Sequence, residues 1–224
     1  MTKSAGADKL MKPSDAGDGR VRLSDRSVFL GKFLKQGVTI GSVTPSSRWM
    51  ARELARYVDP SRPQKILELG AGTGVVTRVL EDAMHPASTL VAVEALNDFE
   101  PMLRRSTKRA KLVINRVELV WRELVAMGPY DLVVNCLPLP SLPARVRASV
   151  LRVVDLGARD AMYSQLTEFP LLFLPTYKRY FSSVKFVMVP LNFPPGGVYH
   201  CTGVKRPSSG VKRAKDRAAA KAQR

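Results

Sequence analysis

Cysteine, histidine and acid are what this sequence has little of, and each shortage removes a class of function. Its two cysteines, Cys136 and Cys201, lie far apart, which excludes a disulfide-stapled scaffold and the paired spacing of a zinc site. The two histidines, His85 and His200, stand alone, one near a helix end and one inside a strand. Both read as structural, no catalytic histidine is evident, and no metal site is expected. No run of 18 or more apolar residues occurs, so no spanning helix is predicted. The chain does not open on a charged-then-apolar leader, and a cytoplasmic, reducing setting is the expectation. Acid is the largest deficit: 36 Lys and Arg face 19 Asp and Glu, a formal net charge of +17 over 224 residues. Such a surface attracts polyanions, with nucleic acid and an anionic lipid surface as the two candidates. At this length one well-cored domain is expected.

What the sequence does have is Lys65-Ile66-Leu67-Glu68-Leu69-Gly70-Ala71-Gly72-Thr73-Gly74. It reads as a buried strand running into a glycine turn and then a helix from about Gly74. Glycines let the backbone approach a ligand with no Cβ in the way, and the helix aims its N–H groups at the same spot. The dinucleotide spacing G-x-G-x-x-G fails in both registers, since its third glycine would fall on Val75 or Thr77. A second strand, Leu90–Val93, ends in Glu94, a carboxylate placed to accept hydrogen bonds from ribose hydroxyls. The plain alternative is a structural turn with a solvated acid at a strand end. The arrangement Glu68-x-Gly70-x-Gly72-Thr73-Gly74 resembles motif I of class I S-adenosylmethionine (AdoMet) methyltransferases, which implies AdoMet as cofactor and S-adenosylhomocysteine (AdoHcy) as product.

The rest of the chain alternates as an α/β fold should. Residues 1–19 are polar and read as a disordered tail. Residues 20–40 hold a short basic amphipathic helix in which Phe29, Leu30, Phe33 and Leu34 share one side and Lys32 and Lys35 lie away from it. It reads as a lid on the domain or as a membrane-surface anchor. Residues 41–204 form the domain, with helices at Arg48–Tyr57, Asn97–Lys108, about Glu118–Met127 and Pro143–Val154. Strands are predicted at Leu112–Asn115, Asp131–Asn135, Ala161–Gln165, Val184–Pro190 and Val198–Val204. The linker between the last two is too short for a helical crossover, so they pair antiparallel. The fold class is therefore a Rossmann-like, seven-stranded, mostly parallel sheet with an antiparallel last strand. Between them, Phe169–Phe181 is apolar and aromatic, with too many prolines for a regular helix. Residues 205–224 form a flexible tail with eight basic residues against one acid.

Chemistry belongs beyond the carboxyl ends of the strands. There the fourth strand delivers Asn135, Cys136 and Leu137, the candidate catalytic residues. Methyl transfer needs a nucleophile with a free lone pair, held in line, so alignment and desolvation supply much of the catalysis. Nucleic-acid amino-methyltransferases carry N/D-P-P followed by an aromatic at this point. This chain has Asn135, but Pro138 comes three residues later and Leu139 replaces the aromatic.

Across about Phe29–Val204 the sequence resembles the bacterial phospholipid N-methyltransferases. Four segments carry the likeness: the amphipathic helix with Gly41–Ser46, the motif Ile66–Gly74, Leu137-Pro138-Leu139, and Leu191–Pro195 between the last strands. The resemblance implies an enzyme peripheral to the inner face of the cytoplasmic membrane. It would methylate the amine of phosphatidylethanolamine and its partly methylated products, or of ornithine lipid. The implied membrane and substrate contacts are Phe29, Leu30, Lys32, Phe33, Leu34 and Lys35, with Tyr177 and Lys178. Where the family has Gly-Asp-Ala after the third strand, this chain reads Asn115-Arg116-Val117-Glu118, leaving Asn115 or Glu118 to take the adenine. Glu168 stands where an aromatic is usual, which brings ornithine lipids into the substrate range. The alternative function is that of the rRNA adenine dimethyltransferases, which share the glycine motif and whose RNA substrate suits the charge.

Overall fold

The computed structural model describes residues 47–168, 170–192 and 195–205. The predicted tail 1–19, the amphipathic helix 20–40 and nearly all of the basic tail lie outside the described residues. Inside them the chain alternates strand and helix: α1 (Arg48–Leu54), β1 (Lys65–Leu69), α2 (Val75–Ala83), β2 (Thr89–Glu94), α3 (Glu100–Ser106), β3 (Lys111–Ile114) and α4 (Val117–Met127). It continues through β4 (Leu132–Asn135), α5 (Ala144–Gly157), β5 (Met162–Thr167), α6 (Leu174–Tyr180), β6 (Phe181–Val189) and β7 (Gly196–Val204).

The sheet runs β3-β2-β1-β4-β5-β7-β6. All neighbours pair parallel except β7, which is antiparallel to both β5 and β6. The order reverses between β1 and β4, and that reversal opens a crevice at the carboxyl ends of both strands. Successive side chains point to opposite faces, so β1 feeds two cores. Leu67 and Leu69 join α4, α5 and α6 on one face, and Ile66 joins α1 and α2 on the other. The same alternation turns Glu68 towards the α1–α2 face.

Several readings of the helices differ from the structure. The first ends at Leu54, three residues short of Tyr57. The helix predicted over 97–108 is a 3-10 turn, Asn97–Phe99, followed by α3, with Pro101 in the first turn of the new helix. Phe169–Phe181, expected to be too proline-rich for a helix, contains α6. Its Pro175 lies in the first turn, where the missing N–H is not needed. Tyr177 on α6 then packs into an aromatic cluster, with ring centroids 5.0 Å from Tyr199 and 6.4 Å from Tyr163.

An unforeseen acid ties the cofactor side together. Glu81 on α2 accepts backbone N–H groups from Arg109 and Ala110 at 2.8 and 2.7 Å and from Lys108 at 2.9 Å. This fastens the chain entering β3 to the helix that follows the glycine turn. Glu81→Ala should destabilise the fold by about 2–4 kcal/mol, since it strands several part-buried amides. Urea unfolding checks this, and an unchanged midpoint would contradict it.

Candidate cofactor and methyl-acceptor site

The turn after β1 is held open and facing the crevice. Gly70 N–H and Ala71 N–H both donate to the Val93 carbonyl, at 2.8 and 3.1 Å, hanging the turn on β2. Gly70 has φ +82°, and a Cβ there would lie 2.8 Å from the Leu137 side chain. The turn therefore packs directly on the segment leaving β4. Gly72 is the complementary case. Its φ is +55°, yet a Cβ there would meet no heavy atom within 4 Å. That open space is where a ligand can lie against bare backbone.

Two acids frame this opening. Glu94, at the end of β2, accepts from Gly72 N–H at 2.7 Å through one oxygen and from Leu96 N–H at 2.9 Å through the other. Each carboxylate oxygen keeps acceptor capacity, so the group that shapes the turn can also receive ribose hydroxyls. Glu68 is different. It is 0% exposed, and neither of its oxygens takes part in a hydrogen bond within the protein. Burial above all pushes its carboxyl up to about 8, with the charges of Glu94 and Glu81 adding to the effect. The Thr77 hydroxyl, its polar neighbour on α2, opposes the rise but makes no well-formed hydrogen bond to it. The open glycine backbone, the strand-end acid and this unpartnered buried carboxyl fit a nucleoside cofactor that carries positive charge.

Asn135, at the end of β4, is buried and fully engaged. Its Nδ2 donates to the Tyr163 hydroxyl and to Gln165 Oε1, both at 2.8 Å, and its Oδ1 accepts from Leu137 N–H at 3.0 Å. Gln165 Nε2 returns to the carbonyls of Leu137 and Leu166 at 2.9 and 2.7 Å. The carboxamide thus acts through Leu137, fixing the backbone path of the segment that Gly70 touches. Cys136 lies within that path, its N–H donating to the Leu69 carbonyl at 2.8 Å. Burial, aided by the charges of Glu68 and Glu94, holds its thiol well above the ordinary range, so at neutral pH it is a neutral thiol and not a nucleophile. Sequence reasoning missed Tyr163 as a partner of Asn135. It is two residues before Gln165 on the neighbouring strand, and only the β4–β5 pairing brings it in.

The two adenine candidates differ in freedom. Asn115 is exposed, and its Oδ1 accepts from Arg116 N–H at 2.8 Å. Glu118 sits 2.7 Å from the Arg116 guanidinium and 3.9 Å from that of Arg145. Of the expected lipid contacts, Phe29, Leu30, Lys32, Phe33, Leu34 and Lys35 lie outside the described residues. Tyr177 is in the aromatic core and presents no surface, whereas Lys178 is exposed. Glu168 is exposed where β5 ends, and crowding by the surrounding chain raises its carboxyl above the ordinary value.

His200 lies between Ser164 Oγ and Glu53 Oε1, 2.9 Å from each. Burial first, with Arg56 and Lys185 adding, holds its imidazole below the usual value despite Glu53. Ser164 is completely buried within the sheet, so this Ser-His-Glu line fastens α1 to β5 and β7 and reaches no substrate. His85 caps a turn, its Nδ1 accepting from Ala87 N–H at 3.1 Å. Among the described residues no group of three or more His, Cys, Asp or Glu is placed to hold a metal ion.

Comparisons with known proteins agree with this geometry. No protein-family model matches the chain. An ornithine lipid N-methyltransferase from Singulisphaera acidiphila is 38% identical over 191 residues, which cover 82% of this chain and 98% of that protein. Solved structures share the architecture at low identity. A methyltransferase from Geobacter sulfurreducens aligns with a TM-score of 0.55 at 14% identity, over 80% of this chain and 97% of its own. A putative O-methyltransferase from Klebsiella pneumoniae reaches 0.59 at 13%, over 79% and 90%. The O-methyltransferase TomG from Streptomyces achromogenes, solved with AdoMet, reaches 0.56 at 15%, over 78% and 89%.

Proposed function

We propose that this chain, which belongs to the bacterial aminolipid N-methyltransferases, a class I AdoMet-dependent family, methylates the free primary amine of an ornithine-lipid headgroup. The observation that carries the substrate is the 38% identity with the Singulisphaera enzyme across 98% of that protein. Glu168 supports it. A carboxylate at the carboxyl end of β5 suits a cationic amine, and it disfavours phosphatidylethanolamine, whose phosphodiester lies only two carbons from its nitrogen. The rRNA reading loses ground because Leu139, where a base-stacking aromatic is needed, is a buried core residue.

AdoMet supplies an electrophilic methyl carbon on a positively charged sulfur. Glu94, the Gly70–Gly74 backbone and, at the adenine, Asn115 or Glu118 would hold it, with Glu68 beneath. The other residues manage the amine. In water it is protonated and has no lone pair to offer, so it must shed its proton to bulk solvent before reaction. Glu168 at the mouth attracts the charged form. Deeper in, the segment Asn135–Leu137, braced by Gln165 and Tyr163, gives the neutral amine a rigid, water-poor seat beside the glycine turn. The lipid chromatography of cells that make ornithine lipid, fed labelled methionine and expressing this chain, tests the proposal. New labelled ornithine-lipid species support it, and label in phosphatidylethanolamine derivatives alone overturns the choice of headgroup.

Docking on an anionic membrane surface is part of the proposal. It is supported by Leu171 and Leu172, 80% and 62% exposed just after β5, and by Leu191, 65% exposed just after β6. All three lie beyond the carboxyl edge that carries the site. The exposed Trp49 has the Arg48 and Arg52 guanidinium carbons 5.1 and 5.6 Å from its ring centroid. Ser47 N–H donates to Asn192 Oδ1 at 3.0 Å, so the start of α1 is tied to the domain at this edge. Leu171→Asp with Leu172→Asp should cut co-sedimentation with anionic vesicles by tenfold or more, each buried leucine being worth about 1.5–3 kcal/mol. AdoMet affinity should not change. Undiminished sedimentation would move the anchor to residues 20–40.

A further inference from the structure

The carboxyl group of Glu68 has no part in shaping the glycine turn and cannot meet the methyl acceptor, being completely buried on the α1–α2 face of β1. Its two oxygens nonetheless lie without a hydrogen-bond partner on β1, two residues before Gly70 and the glycine turn. An ionised carboxylate is costly to bury unpaired, whereas the neutral acid is tolerated. The surroundings offer the anion almost nothing. Thr77 on α2 contributes a hydroxyl, but the charged groups that reach Glu68 are Glu94 from the end of β2 and Glu81 from α2, both acids. Cys136, after β4, feels the charges of both Glu68 and Glu94, and the three stand towards the carboxyl ends of the adjacent strands β4, β1 and β2. Among the described residues no cation is one of them. What is missing is a positive charge, and AdoMet has one that AdoHcy does not.

We propose that Glu68 is a charge-sensing residue that ionises when the sulfonium of AdoMet enters the cradle, so that the enzyme binds the methyl donor with proton release and distinguishes it from the neutral-sulfur product AdoHcy. This rests on AdoMet being the methyl donor. The cycle balances. Glu68 loses one proton to solvent as the cationic donor binds, and regains it once methyl transfer has removed the positive charge from sulfur. The neutral acid then no longer favours the cationic ligand, and the product is held less tightly than the donor. The two ligands carry the same adenosine and amino-acid groups, but the sulfonium lowers the ammonium pKa of AdoMet itself, so the contribution of Glu68 is the part of the affinity ratio's pH dependence that Glu68→Gln removes.

The sign follows from the free state. Below the free-state value of Glu68, where it is neutral, AdoMet must displace a proton and its advantage over AdoHcy is small. As pH rises towards that value, deprotonation becomes easier and the advantage grows. The ratio of Kd for AdoHcy to Kd for AdoMet should therefore rise between pH 6 and pH 9 by about tenfold for each pKa unit by which the sulfonium lowers Glu68. Above the free value it levels off. Glu94→Gln should keep the rise but move it to lower pH, since the Glu94 charge helps to hold Glu68 neutral, and Glu68→Gln, the isostere of the neutral acid, should lose it.

The test is isothermal titration calorimetry of the purified full chain with AdoMet and with AdoHcy, in pairs of buffers of different ionisation enthalpy at pH 7. Wild type should release more protons with AdoMet than with AdoHcy, and Glu68→Gln should lose that excess. Equal proton numbers in wild type overturn the inference even if the variant does not fold, and so does an excess that survives undiminished in Glu68→Gln. Failure of the wild type to bind either ligand is a separate outcome, which overturns the choice of donor itself.

Discussion

Replacing Glu94 by alanine should weaken AdoMet and AdoHcy binding by about 1.5–3 kcal/mol, roughly ten- to a hundredfold in Kd, the usual loss for a hydrogen bond to a charged group. The structure gives the residue two tasks. One is the expected acceptance of ribose hydroxyls. The other is internal: its oxygens hold Gly72 N–H at 2.7 Å and Leu96 N–H at 2.9 Å, so they set the path of the turn that any ligand must lie against. Alanine removes both. Gln should retain more affinity than alanine, since its carbonyl oxygen can still take the Gly72 N–H. Calorimetry with AdoHcy, which is not consumed, reads the effect cleanly. Unchanged affinity in Glu94→Ala would show that the ribose partner is elsewhere.

The pH profile of turnover should be just as large an effect. A primary lipid amine resembles lysine, with a solution pKa of about 10.4, so at pH 7 fewer than about one molecule in a thousand carries a free lone pair. If the neutral amine is the form that reacts, kcat/KM for the lipid should climb by roughly tenfold per pH unit from neutrality towards the free amine's pKa of about 10.4, whereas kcat should flatten earlier, near about pH 9, where the site has lowered the bound amine's pKa. The direction is fixed by the chemistry: deprotonation creates the nucleophile, so rate rises with pH. Glu168→Gln should raise KM for the lipid most at the neutral end, where the charged amine dominates. An adenine amino group is already neutral, and an RNA enzyme would show no such climb. Initial rates with labelled AdoMet across pH 6.5–9.5 separate the two, and a flat profile would contradict the amine mechanism.

The parts of the site legible in the sequence were those made by neighbours in the chain. The strand Ile66–Leu69, the turn at Gly70–Gly74 and the strand-end Glu94 are each local patterns, and the structure brings Glu94 onto Gly72 N–H. The sheet was legible for the same reason, because apolar runs and a short final linker fix strand number and the antiparallel pair. What stayed hidden depends on partners brought in by the sheet. Asn135 reads in sequence as a polar group free to face the amine, but β5 lies beside β4, so Tyr163 and Gln165 take its Nδ2. His200 likewise shows nothing of Ser164 or Glu53 until α1 is laid on β5 and β7. In Leu174–Tyr180 the proline count misled, because what matters for a helix is where the proline stands. Glu81 looks like an ordinary helix acid, and only the packing of α2 against the chain before β3 shows the amides it holds.

The central claim is that the acceptor is the amine of a lipid. The most direct measurement supplies the purified chain with labelled AdoMet and, side by side, ornithine-lipid micelles, phosphatidylethanolamine micelles and undermodified ribosomal RNA. Label should appear in ornithine lipid, rising from pH 7 to pH 9. Label in the RNA with none in either lipid would contradict it.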